Sequence, residues 1–285
     1  MTLIAPKLSD DALAADIEAA DPGGGIVLWW LGQSGFLIKS ATQRVLLDPY
    51  LSDSLTHKYE HTDRPHVRMT RLAIDPGRLR AIDVVTSSHN HTDHLDGETL
   101  TAVFASNPEA AFVIPEANRD FVADRVQRER TSPRGLRDGE SLTIDGVTIH
   151  AVPAAHNEID RDAEGRCKYL GYIVQIGGVT IYHSGDTLLY PGMAEMLRPF
   201  AVDVALLPIN GNRPERRVAG NLFGDEAAQL ARDIGAQLVI PCHYDLFEFN
   251  TESPALFVET CRKLSQPYRV LECGERLAID PASAK

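Results

Sequence analysis

Three histidines and one aspartate fall within six residues of a single predicted turn, His-Asn-His-Thr-Asp-His at positions 89–94. The turn follows an apolar stretch, residues 82–87, that is typical of a buried strand. His89 and His91 can reach one metal ion from the strand end, and Asp93 and His94 can reach a second. Imidazole together with carboxylate suits zinc, iron or manganese better than calcium or magnesium. The sequence therefore predicts a metal centre that begins at this turn.

Three later strand ends supply further candidate ligands. His156 follows the apolar run at 151–155, Asp186 follows the run at 180–185, and His243 follows the run at 238–242. Each run precedes a loop, so we expect the three side chains to converge on one edge of a sheet. A single histidine at a strand end is more often structural, but together with the first turn these residues predict a two-metal site.

The composition is that of an acidic globular protein: 285 residues, 44% hydrophobic and 24% charged, with a net charge of −12. Nucleic acid and anionic membrane both need a basic surface, so neither is expected as a partner. No signal-peptide layout and no apolar run of the ~20 residues of a spanning helix is present. We expect a cytoplasmic homo-oligomer that binds a small, anionic molecule.

Short apolar runs and helical stretches alternate through both halves of the chain. Strands are predicted at 26–39 (broken by two glycines), 44–51, 82–87, 111–115, 202–208 and 237–241, with hairpins at 141–152, 169–183 and 268–279. Helices are predicted from about residue 9 and at 97–106, 117–127, 225–234 and 253–264, and residues 51–76 are predicted as a loop. This pattern favours two sheets packed face to face with helices outside. We expect one domain over 1–285, with 1–25 as an N-terminal helical extension.

In the order of its motifs the chain resembles the metallo-β-lactamase superfamily of metal-dependent hydrolases. The histidine-rich turn, His156, Asp186 in Ser-Gly-Asp and His243 follow the family's order, and Asp48 in Leu-Leu-Asp-Pro matches its first motif. The resemblance spans residues 26–279 and implies an α/β (α+β) fold, the four-layer αββα sandwich. Segments 28–35, 181–186 and 239–246 are similar to the L-ascorbate-6-phosphate lactonase group, although the residues after His156 depart from it.

The resemblance also implies a role for each residue of the predicted centre. One of two divalent ions, zinc or manganese, would be bound by His89, His91 and His156, and the other by Asp93, His94 and His243. Asp186 would bridge the two ions, and Asp48 would support the ligand turn from behind. The expected catalytic carboxylates are Asp93, Asp186 and Asp48.

Candidate substrate-binding residues come from other segments. Three arginines within five residues stand out in an acidic chain and could bind a phosphate or carboxylate, or else form a surface loop or a subunit contact. Tyr244, beside a ligand, could bind substrate or simply pack, and His183 could support the centre or only face inward. The candidate set is Arg213, Arg216, Arg217, Asn210, Tyr244 and His183. Histidines 57, 61 and 66 either line a lid or are solvated.

The predicted chemistry is hydrolysis by a metal-bridging hydroxide, which exists at neutral pH because metals lower the pKa of bound water. The resemblance favours opening of a lactone or similar cyclic ester, of a sugar acid or its phosphate. A phosphodiesterase of the same superfamily is the alternative, because the same ligand set would serve it. A binding protein or sensor that keeps the metals without catalysis is the third possibility.

Overall fold

Apolar runs near the N-terminus form strands that are buried along their whole length. In the computed structural model, which describes residues 2–281, all seven residues of β1, Ile26–Gly32, are buried. Leu28 and Trp30 join one hydrophobic core, whereas Trp29 and Leu31 join another. Because successive side chains of a strand point to opposite faces, this sheet is covered on both sides.

The remaining strands are mostly short. In chain order they are β2 Gly35–Lys39, β3 Arg44–Leu47, β4 Val84–Thr86, β5 Ala111–Pro115, β6 Arg134–Leu136, β7 Ser141–Ile144, β8 Val147–Pro153, β9 Leu170–Ile176, β10 Val179–His183, β11 Val204–Pro208, β12 Leu238–Cys242 and β13 Arg276–Ile279. The α-helices are α1 Asp10–Ala19, α2 Ser54–Tyr59, α3 Gly97–Ser106, α4 Arg119–Val126, α5 Met193–Leu197, α6 Gly224–Asp233 and α7 Ala255–Leu264. Among residues 2–281, no helix has the length and apolar character needed to cross a membrane.

The strands form two mixed sheets. The first has the order β13-β1-β2-β3-β4-β5-β6 and the second the order β12-β11-β10-β9-β8-β7. Helices α1, α3 and α4 bury their apolar residues against the outer face of the first sheet, and α6 and α7 pack on the second. The predicted α/β fold, a four-layer αββα sandwich of the metallo-β-lactamase type, is confirmed.

The predicted closing hairpin at 268–279 is wrong. Tyr268 makes an isolated parallel bridge to Val239 at the edge of the second sheet, whereas β13 pairs antiparallel with β1 in the first. Gly274, with φ of 77°, turns the chain between them and donates its N–H to Trp30 O at 2.7 Å. Two apolar stretches around a glycine predict two strands, but they do not reveal that each stretch pairs with a different sheet.

The predicted loop at 51–76 is also partly wrong, because it contains helix α2. The helix is held by Leu55, which packs with Tyr50, Leu246 and Phe247 in a small hydrophobic cluster of its own. Six residues with a single buried side chain have too little periodicity to predict a helix. Two other short elements, β6 and α5, escaped prediction for the same reason.

Candidate metal centre

The predicted ligand residues all lie just beyond the last residue of a strand. The histidine-rich turn follows β4 and Asp48 follows β3, while His156, Asp186 and His243 come after β8, β10 and β12. Strands β3 and β4 are parallel, as are β10, β11 and β12, so their carboxyl ends lie at one edge of each sheet. The sandwich brings these two edges together, and the side chains meet there.

Three histidines form one group, which we call the imidazole cluster: His89, His91 and His156, whose candidate ligand atoms lie within 4.8 Å of one another. His91 Nδ1 is 3.2 Å from His156 Nε2. Two nitrogens bound to one tetrahedral zinc ion at about 2.0–2.1 Å would be about 3.3 Å apart. The spacing of these two nitrogens therefore fits a metal ion between them.

The second group, the carboxylate cluster, contains Asp93, His94, Asp186 and His243, with candidate ligand atoms within the same 4.8 Å limit. His94 Nε2 lies 3.2 Å from Asp186 Oδ1, and His243 Nε2 lies 3.4 Å from Asp93 Oδ2. The second carboxylate oxygen of Asp186 is 3.5 Å from His243 Nε2 and 3.7 Å from His156 Nε2. Asp186 thus faces both clusters.

Several atoms of the two clusters are buried without a hydrogen-bond partner, namely His89 Nε2, His94 Nε2 and Asp186 Oδ1. A buried polar atom left unsatisfied costs about 1–3 kcal/mol, so a folded protein seldom keeps several in one place. A cation held among these atoms would satisfy them. Both clusters are therefore able to bind a divalent metal, and their donors are the nitrogen and oxygen atoms that zinc or manganese accepts.

Asp48 holds the ligand turn from behind. Its carboxylate is fully buried and lies 2.8 Å from His94 Nδ1, and it accepts hydrogen bonds from Ser88 N at 3.0 Å and Thr86 Oγ1 at 3.1 Å. Burial opposes ionisation, but the nearby His183 and His94 and the Ser88 hydroxyl hold the pKa of Asp48 below its usual value. An ionised Asp48 fixes the proton of His94 on Nδ1, which leaves Nε2 to face the cluster.

The histidines of the two clusters differ in charge before any metal binds. Burial lowers the pKa of His89 well below its usual value and that of His156 to about 4, so both rings are neutral. In the carboxylate cluster burial is outweighed by Asp186 and Asp93, which raise the pKa of His94 well above its usual value and that of His243 to about 9.

A cavity of about 340 Å³ opens onto both clusters. Five candidate ligands form part of its wall: His91, Asp93, His156, Asp186 and His243. The rest of the lining combines apolar and aromatic side chains from α2 and from the loops at 218–219 and 247–250 with a few polar groups. A volume of this size accommodates a small molecule.

The three arginines predicted to bind an anion lie outside the lining of this cavity. Arg213 and Arg216 share the carboxylate of Glu252, and Arg217 Nη2 lies 2.5 Å from Asp63 Oδ2. Arg216 also donates to the carbonyl of Thr251 at 2.9 Å. The structure therefore does not bring the arginines to the metal centre, and all three pair with acidic residues instead.

The other predicted substrate-binding residues do not line the described cavity either. Asn210 lies behind it and donates to Oδ1 of Asn250, a lining residue, at 3.0 Å. Tyr244 donates its hydroxyl to Leu271 O at 2.5 Å and so points away from the clusters. His183 Nε2 donates to Ser34 O at 2.9 Å. Of the three loop histidines, 66 lines the cavity and 57 and 61 are exposed.

Gln33, in the turn between β1 and β2, contacts the carboxylate cluster, which the sequence did not predict. It is buried, and its Nε2 donates to Asp93 Oδ2 at 2.7 Å and lies 2.9 Å from His243 Nε2. Its carbonyl accepts the backbone N–H of His243 at 2.9 Å. Gln33 therefore ties two strand-end residues of the carboxylate cluster together. The only available sequence signal was its position in the Leu-Gly-Gln-Ser-Gly turn.

The sandwich with an imidazole cluster and a carboxylate cluster at one edge is the arrangement of a metal-dependent hydrolase. A sequence profile of the beta-lactamase superfamily domain matches residues 43–244. Over 88% of its length the chain is 30% identical to a UPF0173 metal-dependent hydrolase of Methanosphaerula palustris, covering 99% of that protein. It is 29% identical to a UPF0173 metal-dependent hydrolase of Pelotomaculum thermopropionicum, covering 98% of it. The chain belongs to the UPF0173 metal-dependent hydrolase family of the metallo-β-lactamase superfamily.

A solved structure supports the same fold. Igni18, a metallo hydrolase from the archaeon Ignicoccus hospitalis, superimposes with a TM-score of 0.65 at 22% identity, covering 90% of this chain and 98% of Igni18. At this identity the likeness concerns the fold, and the substrate has to be argued from this chain's own residues.

Proposed function

We propose that this protein is a binuclear metal-dependent hydrolase that opens a lactone or a similar cyclic ester. The observation that carries the binuclear part is Asp186, whose carboxylate lies close to histidines of both clusters. Its Oδ1 lies 3.2 Å from His94 Nε2 and its Oδ2 lies 3.7 Å from His156 Nε2. One carboxylate between two sets of histidines suits two ions that act together on one substrate.

Each of the two proposed metal ions has one of the two clusters as its ligands. The imidazole cluster would hold one ion and Asp93, His94 and His243 the other, with Asp186 shared, and zinc or manganese fits both sets. Bound there, such ions would provide a hydroxide nucleophile at neutral pH and would polarise the carbonyl under attack. Asp48 contributes by keeping the proton of His94 on Nδ1.

Asp93 is placed to move a proton. Its carboxylate lines the cavity, and although burial opposes ionisation, His94 and His243 hold its pKa below the usual value. It is therefore a carboxylate at neutral pH, and Gln33 fixes its orientation with a 2.7 Å hydrogen bond. In this position Asp93 can accept a proton from the nucleophile and return it to the departing alkoxide, which stays tethered when the substrate is a lactone.

The preference for a lactone is supported by the resemblance in segments 28–35, 181–186 and 239–246. The sugar-acid phosphate expected from the sequence finds less support, because the arginines meant to bind its phosphate pair with Glu252 and Asp63 instead. We therefore limit the proposal to a lactone or cyclic ester. A phosphodiester remains the second candidate only because the same two clusters would serve it.

The test is a pH-stat assay of protein loaded with zinc or with manganese. Alkyl lactones, sugar lactones and their phosphates are compared with bis-p-nitrophenyl phosphate, and Asp186→Asn serves as the inactive control. We expect turnover of at least one class of lactone and its loss in the variant. Efficient phosphodiester cleavage without lactone opening would replace the proposal by its alternative. Two bound metals with no turnover of any ester would favour the non-catalytic metal-binding protein.

A further inference from the structure

Part of the cavity wall has no role in the chemistry above, and it is aromatic. Tyr59 stacks on His66 with ring centroids 4.3 Å apart, and His66 meets Phe249 at 4.6 Å and Phe247 at 5.1 Å. We call these residues and Leu55, all of which line the cavity, the aromatic wall. It stands in the same cavity as the two metal clusters.

The aromatic wall belongs to neither of the two main cores. Leu55 and Phe247 form a small separate cluster with Tyr50 and Leu246, and Tyr59 and Phe249 pack against it only partly buried. The cluster joins α2 to the loop that follows β12. Apolar rings that remain partly in water are stabilised when another apolar group covers them. The wall can therefore attract an apolar part of whatever molecule enters the cavity.

The wall is also uncharged at neutral pH. His66 is the residue of the wall that could carry a charge near pH 7, and burial lowers its pKa below the ordinary value of a histidine. The neutral ring lies flat against Tyr59, with an interplanar angle of 22°. A neutral stacked surface favours an alkyl or aryl group over a charged one.

Besides the candidate ligands and the aromatic wall, the cavity is lined by five polar side chains, Lys58, Asn90, Thr92, Arg125 and Asn250, and of these Arg125 and Asn250 are already hydrogen-bonded within the protein. Arg125 donates through Nη1 to the carbonyls of Asn90 at 3.0 Å and Leu95 at 3.3 Å, so it holds the ligand turn. Asn250 Oδ1 already accepts a hydrogen bond from Asn210. A sugar acid needs a partner for each hydroxyl, because a buried hydroxyl without one costs binding free energy.

We infer that the substrate carries an alkyl or aryl group that packs on the aromatic wall while its scissile bond faces the two metal clusters. The substrate class is then a hydrophobic lactone or ester rather than a sugar acid. The bond that is broken rests on the proposed function, whereas the preference for an apolar substituent rests on the wall alone.

The experiment measures binding without turnover. Acetate, hexanoate, 3-phenylpropionate and 6-hydroxyhexanoate are titrated calorimetrically into the zinc-loaded full-length protein. All four carry one carboxylate and no hydroxyl within chelating reach of it, so any attraction to the metals or to Lys58 is constant. Because each buried methylene strengthens apolar binding, we expect hexanoate and 3-phenylpropionate to bind about tenfold or more tightly than acetate. 6-Hydroxyhexanoate should bind less tightly than hexanoate, because its hydroxyl would be buried against the wall without a partner.

Two wall variants and a control complete the test. Phe249→Ser should weaken the binding of hexanoate about fivefold or more and leave the binding of acetate unchanged. Tyr59→Ser should do the same and replaces Phe249→Ser if that variant fails to fold. Phe200→Ser removes another partly buried ring, which packs near His150 away from the cavity, and should change neither. Equal affinity across the four carboxylates, or tighter binding of 6-hydroxyhexanoate than of hexanoate, would overturn the inference. Tighter binding of the apolar carboxylates without turnover of any ester would instead contradict only the proposed function.

Discussion

The two clusters of the metal centre orient their histidines in different ways. His156 donates its Nδ1 proton to the backbone carbonyl of Gly220 at 2.9 Å, whereas His94 Nδ1 lies 2.8 Å from the carboxylate of Asp48. A carbonyl is a neutral partner and a carboxylate a charged one. Burial outweighs Asp186 at His156, so the pKa of that ring falls, whereas at His94 the carboxylates of Asp186 and Asp93 outweigh burial and the pKa rises.

This difference predicts different behaviour toward metals. The imidazole cluster presents neutral nitrogens, so a metal binds there without displacing a proton. In the carboxylate cluster a metal competes with the protons on His94 and His243. We expect the imidazole cluster to fill first at neutral pH and the carboxylate cluster to fill as the pH rises, with Asp186 linking the two.

The largest effect is expected from removing the carboxylate of Asp186. Asp186→Ala deletes a carboxylate that faces both clusters, so the variant should lose at least one metal. Activity should fall by more than about 100-fold, which is already the upper effect of deleting a group that merely supports a ligand. Elemental analysis after dialysis measures the metal content. Two tightly held metals in the variant would show that Asp186 does not bridge.

The pH dependence of metal binding sharpens the comparison further. At pH 7.5 filling the imidazole cluster should release no proton, whereas filling the carboxylate cluster should release about one proton each from His94 and His243. Zinc titration calorimetry in two buffers of different ionisation enthalpy counts the protons. Identical proton release for the first and second zinc ion would contradict the charge difference between the clusters.

The stability of the metal-free protein gives an independent check with a defined sign. A histidine whose pKa is raised on folding stabilises the fold fully below its unfolded pKa of about 6.5 and loses that stabilisation as pH rises through its folded pKa. For His243 the folded pKa is about 9, so the free energy of unfolding of the metal-free protein should fall between pH 6.5 and 9. Urea unfolding at several pH values measures it. A rise over that window would show that His243 and His94 are not protonated.

The next effect concerns Asp48. Asp48→Asn keeps the shape of the side chain but removes its charge, so it should weaken metal binding at the carboxylate cluster by about 10- to 100-fold. The imidazole cluster should keep its affinity, and fewer protons should be released when the second metal binds. Competition with a zinc chelator gives both affinities. Equal weakening at both clusters would mean that Asp48 supports the whole turn rather than His94.

Much of the two clusters was predictable because each ligand follows an apolar strand. His89 and His94 lie in one turn, and His156, Asp186 and His243 each end a run that is visible in the sequence. Parallel neighbours in a sandwich then bring those ends together. The αββα architecture followed from the same alternation of short strands and helices.

The rest depends on contacts between residues far apart in the chain. Gln33 meets Asp93, which is 60 positions later, and Arg217 meets Asp63, which is 154 positions earlier. Three clustered arginines therefore suggested an anion site, although acidic residues distant in the sequence pair with them. The aromatic wall was equally hidden, because α2 supplies a single fully packed side chain, Leu55, and has no helical periodicity.

The smallest effect is expected from a change at the imidazole cluster. Asn157 Oδ1 accepts the N–H of Gly220 at 3.0 Å and so holds the carbonyl that orients His156. Asn157 has φ of 82°, which glycine adopts readily, so Asn157→Gly removes the side chain without straining the backbone. Asp145→Gly, at φ of 47° in the β7–β8 turn, is the matched control for backbone entropy.

Asn157→Gly should weaken metal binding at the imidazole cluster only about two- to fivefold, less than the loss of a directly supporting carboxylate. The ring of His156 is neutral with or without the Gly220 carbonyl, since burial is the main reason for its lowered pKa. The carbonyl therefore only orients the ring, whereas Asp48 also stabilises a charge on His94. Chelator competition compares the two variants directly. If Asn157→Gly weakened the imidazole cluster as much as Asp48→Asn weakens the carboxylate cluster, orientation alone would explain both partners, and the charge of Asp48 would contribute nothing to metal binding.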